Sequence, residues 1–574
     1  MTLQSSGLLL ARRQDKPARE ERAASAADRP EVDVAIVAES TYPFLKGGVS
    51  AVMQDILIHN PDVTFGIIHI GWDSDGPSIP LYDVPDNVRW IHQTFLSMRE
   101  HRDDFSSLRP GALNMSGRDR ARLADRLFDA LAAAVDGDVE PLWALYDEGM
   151  NPRTRSYPMW ALLGSIEFMT ATQRRLAVLD LSLTDTFWLL REFFSLACAV
   201  LGGDFPRARV YHAHTTGYAS LLAAAAARQN DGRFLLTEHN LYVRDTVNTL
   251  LDRNMALPVL ANDWRDTGFA TRERAWMAWW IEMGRFCYPS ASAITYLYPS
   301  AITEAADLGA PVQDAIIVPN GMVVEEFDDV YERRRAETAK IVAGDVERVW
   351  RLVYIARVVP IKGLLDFVST IDLLIRRGVT NFHLDVLGPT EHDPDYYARC
   401  LAKVEELGVQ RYLTFRGTVN VRPMLGEFDV LVLPSYNEGQ PIVVLEAMTA
   451  GIPVIGSEVG GMAQLVADPL TTPQGVTWGE CGMLLDAGDP EGMADRIQSF
   501  IEDPSVYGRY AENARGRVVD FFQLHDAMRA YNELYRELGD PQLRDSGPPT
   551  GPGSGRVAAG LPEPILLAGP VGRP

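Results

Sequence analysis

Two glutamates lie in one short stretch, 435–453, that combines a tight loop with an apolar helix. Glu438 falls in the loop, where the positive end of the helix dipole favours a negative charge. Glu446 falls inside the helix beside Val444 and Leu445, where a carboxylate without a hydrogen-bond partner is costly. Hydroxyl groups of a sugar or a ribose could provide that partner. The stretch therefore indicates carbohydrate or nucleotide chemistry.

Two cations lie in a second loop, between the predicted strand 351–356 and the helix that follows. Arginine binds a diphosphate by a planar fork and lysine as a point charge, so Arg357 and Lys362 could hold a departing nucleoside diphosphate. Each charge pair at ~4 Å would contribute on the order of 4 kcal/mol before desolvation, at an effective dielectric of about 20. A structural alternative remains, in which Lys362 is solvated and Arg357 pairs with an acid.

Glycine and histidine residues mark candidate positions in the first half of the chain. Gly47 and Gly48 follow the predicted strand 32–37, and their backbone N–H groups could meet an anion at a helix start. A simple turn explains the two glycines equally well. His214 and His239 each follow a predicted strand, at the sheet edge where ligands bind. The sequence favours a site role for His239, whereas His214 could equally be a structural histidine.

The elements that must position these residues form two α/β halves. Short apolar runs alternate with helical patterns, which predicts parallel sheets with helices on their faces. We expect an N-terminal domain over 31–320 with a helical insertion at about 97–205. A C-terminal domain over 321–515 and a helix over 516–540 that packs back toward the first domain should follow.

The remaining segments are polar. The stretch 325–347 is interpreted as a connector between the halves. Composition predicts that residues 1–30 and 541–574 are disordered.

Bulk composition excludes several classes of function. The 574 residues carry a formal net charge of −23, which argues against nucleic acid or an anionic lipid surface as the main partner. Four scattered cysteines indicate neither a disulfide framework nor a zinc site, and they suit a cytoplasmic protein. Neither a signal peptide nor a membrane-spanning stretch is predicted.

At this point several motifs together resemble a known family. The run Asn437-Glu438-Gly439-Gln440-Pro441 through Glu446 to Gly451-Ile452-Pro453 resembles the E-x7-E signature of family 4 retaining glycosyltransferases. The loop from Arg357 to Lys362-Gly363 is similar to the diphosphate clamp of that family, and Val318-Pro319-Asn320-Gly321 to its interdomain hinge. Thr41-Tyr42-Pro43 before the Gly-Gly loop, Thr237-Glu238-His239 and the insertion resemble most its PelF-type branch, which is associated with a cationic exopolysaccharide made from UDP-sugars.

The resemblance implies a GT-B fold, in which two Rossmann-like domains face each other across a cleft. It implies that Glu446 holds the ribose and that Glu438, with the backbone of Gly439 and Gln440, holds the donor sugar. The implied catalytic residues are Arg357, Lys362, Glu438 and His239. The implied donor-binding residues are Gly47, Gly48, Arg357, Lys362, Gly417, Glu438, Gly439, Gln440 and Glu446.

The predicted function is transfer of a hexose from a UDP-sugar to a glycan acceptor, without a metal or a cofactor. A membrane partner from a polysaccharide-synthesis system stays open, as do the hexose, the acceptor and the linkage. One alternative is a catalytically silent GT-B subunit of such a system, against which the intact Arg357, Lys362, Glu438 and Glu446 argue. Another is a GT-B epimerase or phosphorylase.

Overall fold

The computed structural model describes residues 29–101, 113–177, 182–251, 259–313, 315–344 and 348–540. Of the segments predicted to be disordered, 1–30 and 541–574, all but residues 29 and 30 lie outside these residues. Among the helices of the described ranges, none combines the length and the apolarity that crossing a bilayer requires.

Seven parallel strands form the N-terminal sheet in the order β3-β2-β1-β4-β5-β6-β7. Apolar runs such as 34–38 are buried on both faces, as parallel strands between helices require. The strands are β1 Val32–Glu39, β2 Phe65–Gly71, β3 Val88–Phe95, β4 Ala208–Ala213, β5 Arg233–Glu238, β6 Ala293–Tyr296 and β7 Ile316–Ile317.

Six parallel strands form the C-terminal sheet in the order β10-β9-β8-β11-β12-β15. The strands are β8 Trp350–Ile355, β9 Phe382–Leu387, β10 Leu413–Gly417, β11 Val430–Leu433, β12 Val454–Ser457 and β15 Gly482–Leu485. The short strands β13 Leu470–Thr471 and β14 Thr477–Trp478 pair separately. The prediction of two parallel α/β domains is confirmed.

Helices cover the faces of both sheets. Those of the N-terminal half are α1 Gly48–His59, α2 Gly117–Val135, α3 Glu140–Gly149, α4 Trp160–Leu163, α5 Ile166–Arg175, α6 Leu183–Leu201, α7 Tyr218–Asn230, α8 Tyr242–Leu250, α9 Thr271–Ser290 and α10 Pro299–Asp307. Those of the C-terminal half are α11 Asp328–Val342, α12 Leu364–Arg376, α13 Pro394–Leu407, α14 Ile442–Thr449, α15 Pro490–Glu502, α16 Tyr507–Phe521 and α17 Leu524–Gly539.

Helices α2 to α6 lie between β3 and β4, where the helical insertion is expected. Together with α9 they line an apolar cavity of about 470 Å³ with residues such as Phe193 and Trp279. Helices α4 and α5 are separate, because the first ends at Gly164 and Ser165 caps the second by accepting a hydrogen bond from the Phe168 N–H.

The interpretation of 325–347 as a connector is wrong, because α11 occupies most of it. Its buried face consists of Val330, Arg334 and Ile341. The Arg334 side chain is 1% exposed and donates to Asp429 at 3.1 Å. The apolar period is hidden in the sequence because an arginine, neutralised by a distant aspartate, occupies the centre of the buried face.

The chain crosses between the domains twice, and the two crossings lie side by side. The Met322 N–H donates to the Phe522 carbonyl at 2.8 Å, and the Leu524 N–H donates to the Met322 carbonyl at 3.0 Å. Beyond the second crossing, α17 packs on the N-terminal sheet, where the Tyr535 hydroxyl is 2.8 Å from His212 Nδ1.

Gly321 allows this approach, since a Cβ there would lie 2.5 Å from the backbone of Leu524. We expect Gly321→Ala to lower the free energy of unfolding by about 1–3 kcal/mol, because the neighbouring group is backbone and cannot move aside. Chemical denaturation measures this change. Gly164→Ala is the control, because its Cβ would meet nothing closer than 4.0 Å. Equal stability of the two variants would contradict the prediction.

Candidate functional site

Strand order changes direction between β8 and β11, which are neighbours in the C-terminal sheet although two strands lie between them in sequence. Ligands of open α/β sheets bind at such a switch point, outside the carboxyl ends of the strands. The loops that leave this point are 356–363 after β8 and 434–441 after β11. These two loops contain Arg357, Lys362 and Glu438. The fold therefore brings the two predicted clusters together.

Glu438 is anchored through one oxygen of its carboxylate. Lys362 Nζ donates to Oε1 at 2.6 Å, and Ser435 Oγ donates to the same atom at 2.7 Å. Glu438 is 9% exposed. Its second oxygen, Oε2, accepts no hydrogen bond from any residue that the structure describes. The carboxylate therefore has a fixed orientation and one acceptor available to a ligand.

The two loops also contact each other through the backbone. The Tyr436 N–H donates to the Ile361 carbonyl at 2.8 Å. Gly363 has a φ of 68°, and a Cβ there would overlap the Pro434 carbonyl. A glycine is required on both grounds. This packing keeps Lys362 within reach of Glu438.

Arg357 lies exposed in the same loop, and no acidic side chain among the described residues pairs with it. The structural alternative, an Arg357 neutralised by a protein acid, is thus not what the structure shows. Lys362 is half-buried and bound to Glu438, so it is not a solvated residue at a helix start either. Gly417 lies at the end of β10 with a φ of 65°, and its carbonyl accepts from the Gly388 N–H at 2.9 Å.

Glu446 lies on α14, half-buried. Its carboxylate has no hydrogen-bond partner among the described residues. Burial raises the pKa of Glu446, and the charge of Arg422 opposes this shift only in part. The helix itself begins at Ile442 with Pro441 as its N-cap, and it ends before Gly451, whose φ is 73°.

The N-terminal domain contributes a pair of histidines. His214 and His239 follow the neighbouring strands β4 and β5, and His214 Nδ1 lies 2.8 Å from His239 Nε2. Burial lowers the pKa of His239 to about 4 and that of His214 well below its usual value. Both imidazoles are therefore neutral at pH 7, so His239 can hydrogen-bond to a ligand but cannot act as a cation. His214 and His239 thus lie within hydrogen-bond distance of each other.

The glycine pair of the first domain is placed at an open helix start. Gly47 and Gly48 are exposed, and α1 begins at Gly48 without a side-chain cap. A Cβ on either glycine would meet nothing within 4 Å. The uncapped N–H groups suit an anion, but the structure brings neither glycine into contact with the histidine pair.

The loop 437–440 is one of the places where the two domains touch. Asn437 binds Arg244 and Asp245 of the other domain, and Gln440 Oε1 accepts from the Asn320 N–H at 2.6 Å. A Cβ on Gly439 would overlap the His239 carbonyl oxygen.

Sequence reasoning assigned no site role to Arg244, Asp245, Asn320 or Ser435. Ser435 was within reach, since it lies three residues before Glu438 in the same loop. The contacts of Arg244 and Asp245 with Asn437 leave no local signal, because they span more than a hundred residues, and Asn320 stood out only as part of the hinge motif.

Within the described ranges, no group of three or more His, Cys, Asp or Glu side chains could hold a metal ion. Metal independence of the reaction stays a prediction.

Comparison with protein families assigns each half separately. Residues 350–503 match the family model "Glycosyl transferases group 1". Residues 32–313 match a model described as a domain of unknown function, DUF3492. Residues 350–503, which contain Arg357, Lys362, Glu438 and Glu446, are therefore similar to a glycosyltransferase group 1 domain.

Curated relatives are glycosyltransferases matched over part of their length. The N-acetyl-alpha-D-glucosaminyl L-malate synthase of Bacillus anthracis is 27% identical over 262 residues, which are 46% of this chain and 62% of that protein. A D-inositol 3-phosphate glycosyltransferase of Streptomyces avermitilis is 33% identical over 132 residues, which are 22% of this chain and 26% of that protein. The chain thus spans less than two thirds of these relatives.

Solved structures share the fold over nearly the whole described chain. Sucrose-phosphate synthase of Thermosynechococcus elongatus superposes with a TM-score of 0.53 at 16% identity, covering 89% of this chain and 99% of that one. Alr3699/HepE of Anabaena in complex with UDP gives a TM-score of 0.51 at 12% identity, covering 88% and 99%. The predicted GT-B fold is confirmed.

Gly439→Ala tests the contact between the loop 437–440 and the N-terminal domain. Because the added Cβ would overlap the His239 carbonyl, which is backbone, we expect the loop to shift and turnover of the proposed nucleotide-sugar donor to fall about 100-fold. Steady-state kinetics measures this, with Gly164→Ala as a control. Unchanged turnover would show that the loop position does not matter.

Proposed function

We propose that the protein is a retaining glycosyltransferase that moves a hexose from a UDP-sugar to a glycan acceptor. One observation carries the proposal. At the switch point of a glycosyltransferase group 1 domain, Lys362 and Ser435 fix Glu438 by Oε1 and leave Oε2 available, and the next residue, Gly439, lies against the His239 carbonyl of the N-terminal domain. Such a carboxylate suits a sugar hydroxyl, and the neighbouring cations suit a diphosphate.

Each side chain at the switch point has a role in holding the donor. Glu446 gains the partner it lacks by accepting hydrogen bonds from the ribose hydroxyls, which offsets the cost of its burial. Glu438 Oε2 accepts from a hydroxyl of the donor sugar. Arg357 and Lys362 bind the diphosphate, and Lys362 then shares its charge between the diphosphate and Glu438.

Catalysis is electrostatic in this proposal. The bond between the anomeric carbon and the β-phosphate oxygen breaks, and the electron pair goes to the departing UDP. Arg357 and Lys362 stabilise the charge that develops there. The acceptor hydroxyl attacks on the face that UDP leaves, and its proton passes to the departing phosphate oxygen. The configuration is retained, and no protein carboxylate forms a covalent bond.

The finer assignment rests on the motifs. The likeness to the PelF-type branch supports UDP as the nucleotide and exopolysaccharide synthesis as the process. The four free cysteines support the cytoplasm as the compartment. The reaction would be that of a hexosyltransferase, of the EC 2.4 type.

A panel of nucleotide-sugars tests the donor assignment. We expect UDP-hexoses to raise the melting temperature more than GDP- or ADP-sugars do. Slow hydrolysis of the UDP-sugar that disappears in Glu438→Ala would support the transferase. Equal shifts or none would refute UDP as the nucleotide. Binding without turnover on any acceptor would favour a silent subunit, and release of a sugar phosphate would favour a phosphorylase.

Arg357→Ala tests the leaving-group role. Because Arg357 is exposed, its loss should leave the fold intact, while kcat falls about 10²–10³-fold through the lost charge stabilisation. Rapid-quench turnover and thermal melting measure the two effects. Arg376→Ala, which removes an exposed arginine of α12, is the control and should keep kcat. A loss of kcat in both variants would point to general electrostatics instead.

We expect Glu446→Gln to raise the thermal stability at high pH and to weaken the binding of UDP. The pKa of Glu446 is raised in the folded state, so ionisation of this group lowers the stability as pH rises above its unfolded value of about 4.5. Glutamine stays neutral, so the variant should melt higher than the wild type at pH 8, and the difference should shrink toward pH 4.

UDP affinity of Glu446→Gln should fall about 10-fold or more, because the charged acceptor for the ribose is lost. Calorimetric titration with UDP measures it, and Glu406→Gln on the exposed face of α13 is the matched control. A variant that binds UDP as tightly as the wild type would remove Glu446 from the donor site.

A further inference from the structure

Asn437, the residue before Glu438, is held by the opposite domain through both arms of its side-chain amide. Its Oδ1 accepts from Arg244 Nη2 at 2.9 Å. Its Nδ2 donates to Asp245 Oδ1 at 2.8 Å. Both partners lie on α8 of the N-terminal domain. Two hydrogen bonds in opposite directions fix the plane of the amide and therefore the backbone that leads into Glu438.

Arg244 is itself immobilised. Its side chain is 4% exposed and forms ion pairs with Asp245 and Glu304. Nη2 also donates to Asn240 Oδ1 at 2.9 Å, and Asn240 Nδ2 donates to Asp245 at 2.6 Å. Every nitrogen of the guanidinium thus has an acceptor, as a buried arginine requires. Asn437 is the one acceptor in this set that belongs to the other domain.

The two residues that follow Glu438 in the loop also contact the N-terminal domain. Gly439 abuts the His239 carbonyl, and the side chain and carbonyl of Gln440 bind Asn320 at 2.6 and 2.9 Å. The N-terminal domain therefore contacts the residues on both sides of Glu438. Glu438 is anchored by its own domain, through Lys362 and Ser435.

We propose that Arg244 and Asp245 are positioning residues, which act through Asn437 to hold Glu438 where its free oxygen meets the donor sugar. The part of the donor site that binds the sugar is then complete only when the N-terminal domain contacts the loop 437–440. Arg357, Lys362 and Glu446, which would bind the nucleotide, all belong to the C-terminal domain. This inference rests on the proposed function.

If the two parts of the donor site depend on different domains, a change at Arg244 should impair sugar transfer but not nucleotide binding. Arg244→Lys keeps the charge beside Asp245 and Glu304 but loses the fork that reaches Asn437. We expect kcat/KM for the UDP-sugar to fall about 10- to 100-fold, while the dissociation constant for UDP changes less than about 2-fold. A structural defect alone would not separate these two quantities.

A double-variant cycle tests whether the effect passes through Asn437. Asn437→Ala should lower kcat/KM as much as Arg244→Lys does, and the double variant should be no worse than either. Arg334→Lys is the control: this arginine is equally buried, lies on α11 and binds Asp429, so it should lower the melting temperature and leave kcat/KM unchanged. If the two single losses multiply in the double variant, or if UDP affinity falls as far as kcat/KM, the inference is overturned.

Hydrogen–deuterium exchange gives a readout that needs no activity. In Arg244→Lys the backbone amides of 435–441 should exchange faster than in the wild type, whereas those of 357–363 should not change. Unchanged exchange at 435–441 would refute the positioning role. Failure of the wild-type protein to transfer any sugar would refute the proposed function, and the exchange experiment would still decide the role of Arg244.

Discussion

The ion pair between Lys362 and Glu438 joins the two loops that leave the switch point of the C-terminal sheet. It needs β8 and β11 to be neighbours, and it needs Gly363 to lie against the Pro434 carbonyl without a Cβ. A carboxylate that is 9% exposed would be unfavourable without its cation and its hydroxyl donor. The pair therefore fixes the geometry of the site and depends on the fold of the whole second domain.

Close backbone approach is the second constraint on the site. A Cβ would overlap backbone oxygens at Gly439, which faces His239, and at Gly460, which faces the Glu438 carbonyl. The Gly461 N–H adds a hydrogen bond to the Gly439 carbonyl at 2.7 Å. Backbone of both domains thus surrounds the loop 437–440. Its glycines allow this close approach, and hydrogen bonds of side chains add to it.

Electrostatics differs between the two faces of the cleft. The C-terminal face has fixed charges, with Lys362 balanced by Glu438 and Arg357 exposed. On the N-terminal face His239 is neutral at pH 7, because burial lowers its pKa to about 4, and Arg244 pairs with Asp245 and Glu304. A diphosphate would therefore meet its countercharges on the C-terminal side, and the other domain would supply hydrogen bonds and shape.

Local sequence determined the strands, the helix after Glu438 and the glycine that ends it, because apolar periodicity and Pro and Gly placement act within about ten residues. It also singled out Glu438, Glu446, Arg357 and Lys362 as candidates, since each has its signal within one loop or helix. It failed at α11, where Arg334 is buried by an ion pair 95 residues away. Only the tertiary structure decided that Lys362 meets Glu438 across 76 residues and that Arg244 meets Asn437 across 193. Such contacts leave no periodic trace, because they depend on how two sheets and two domains are placed in space.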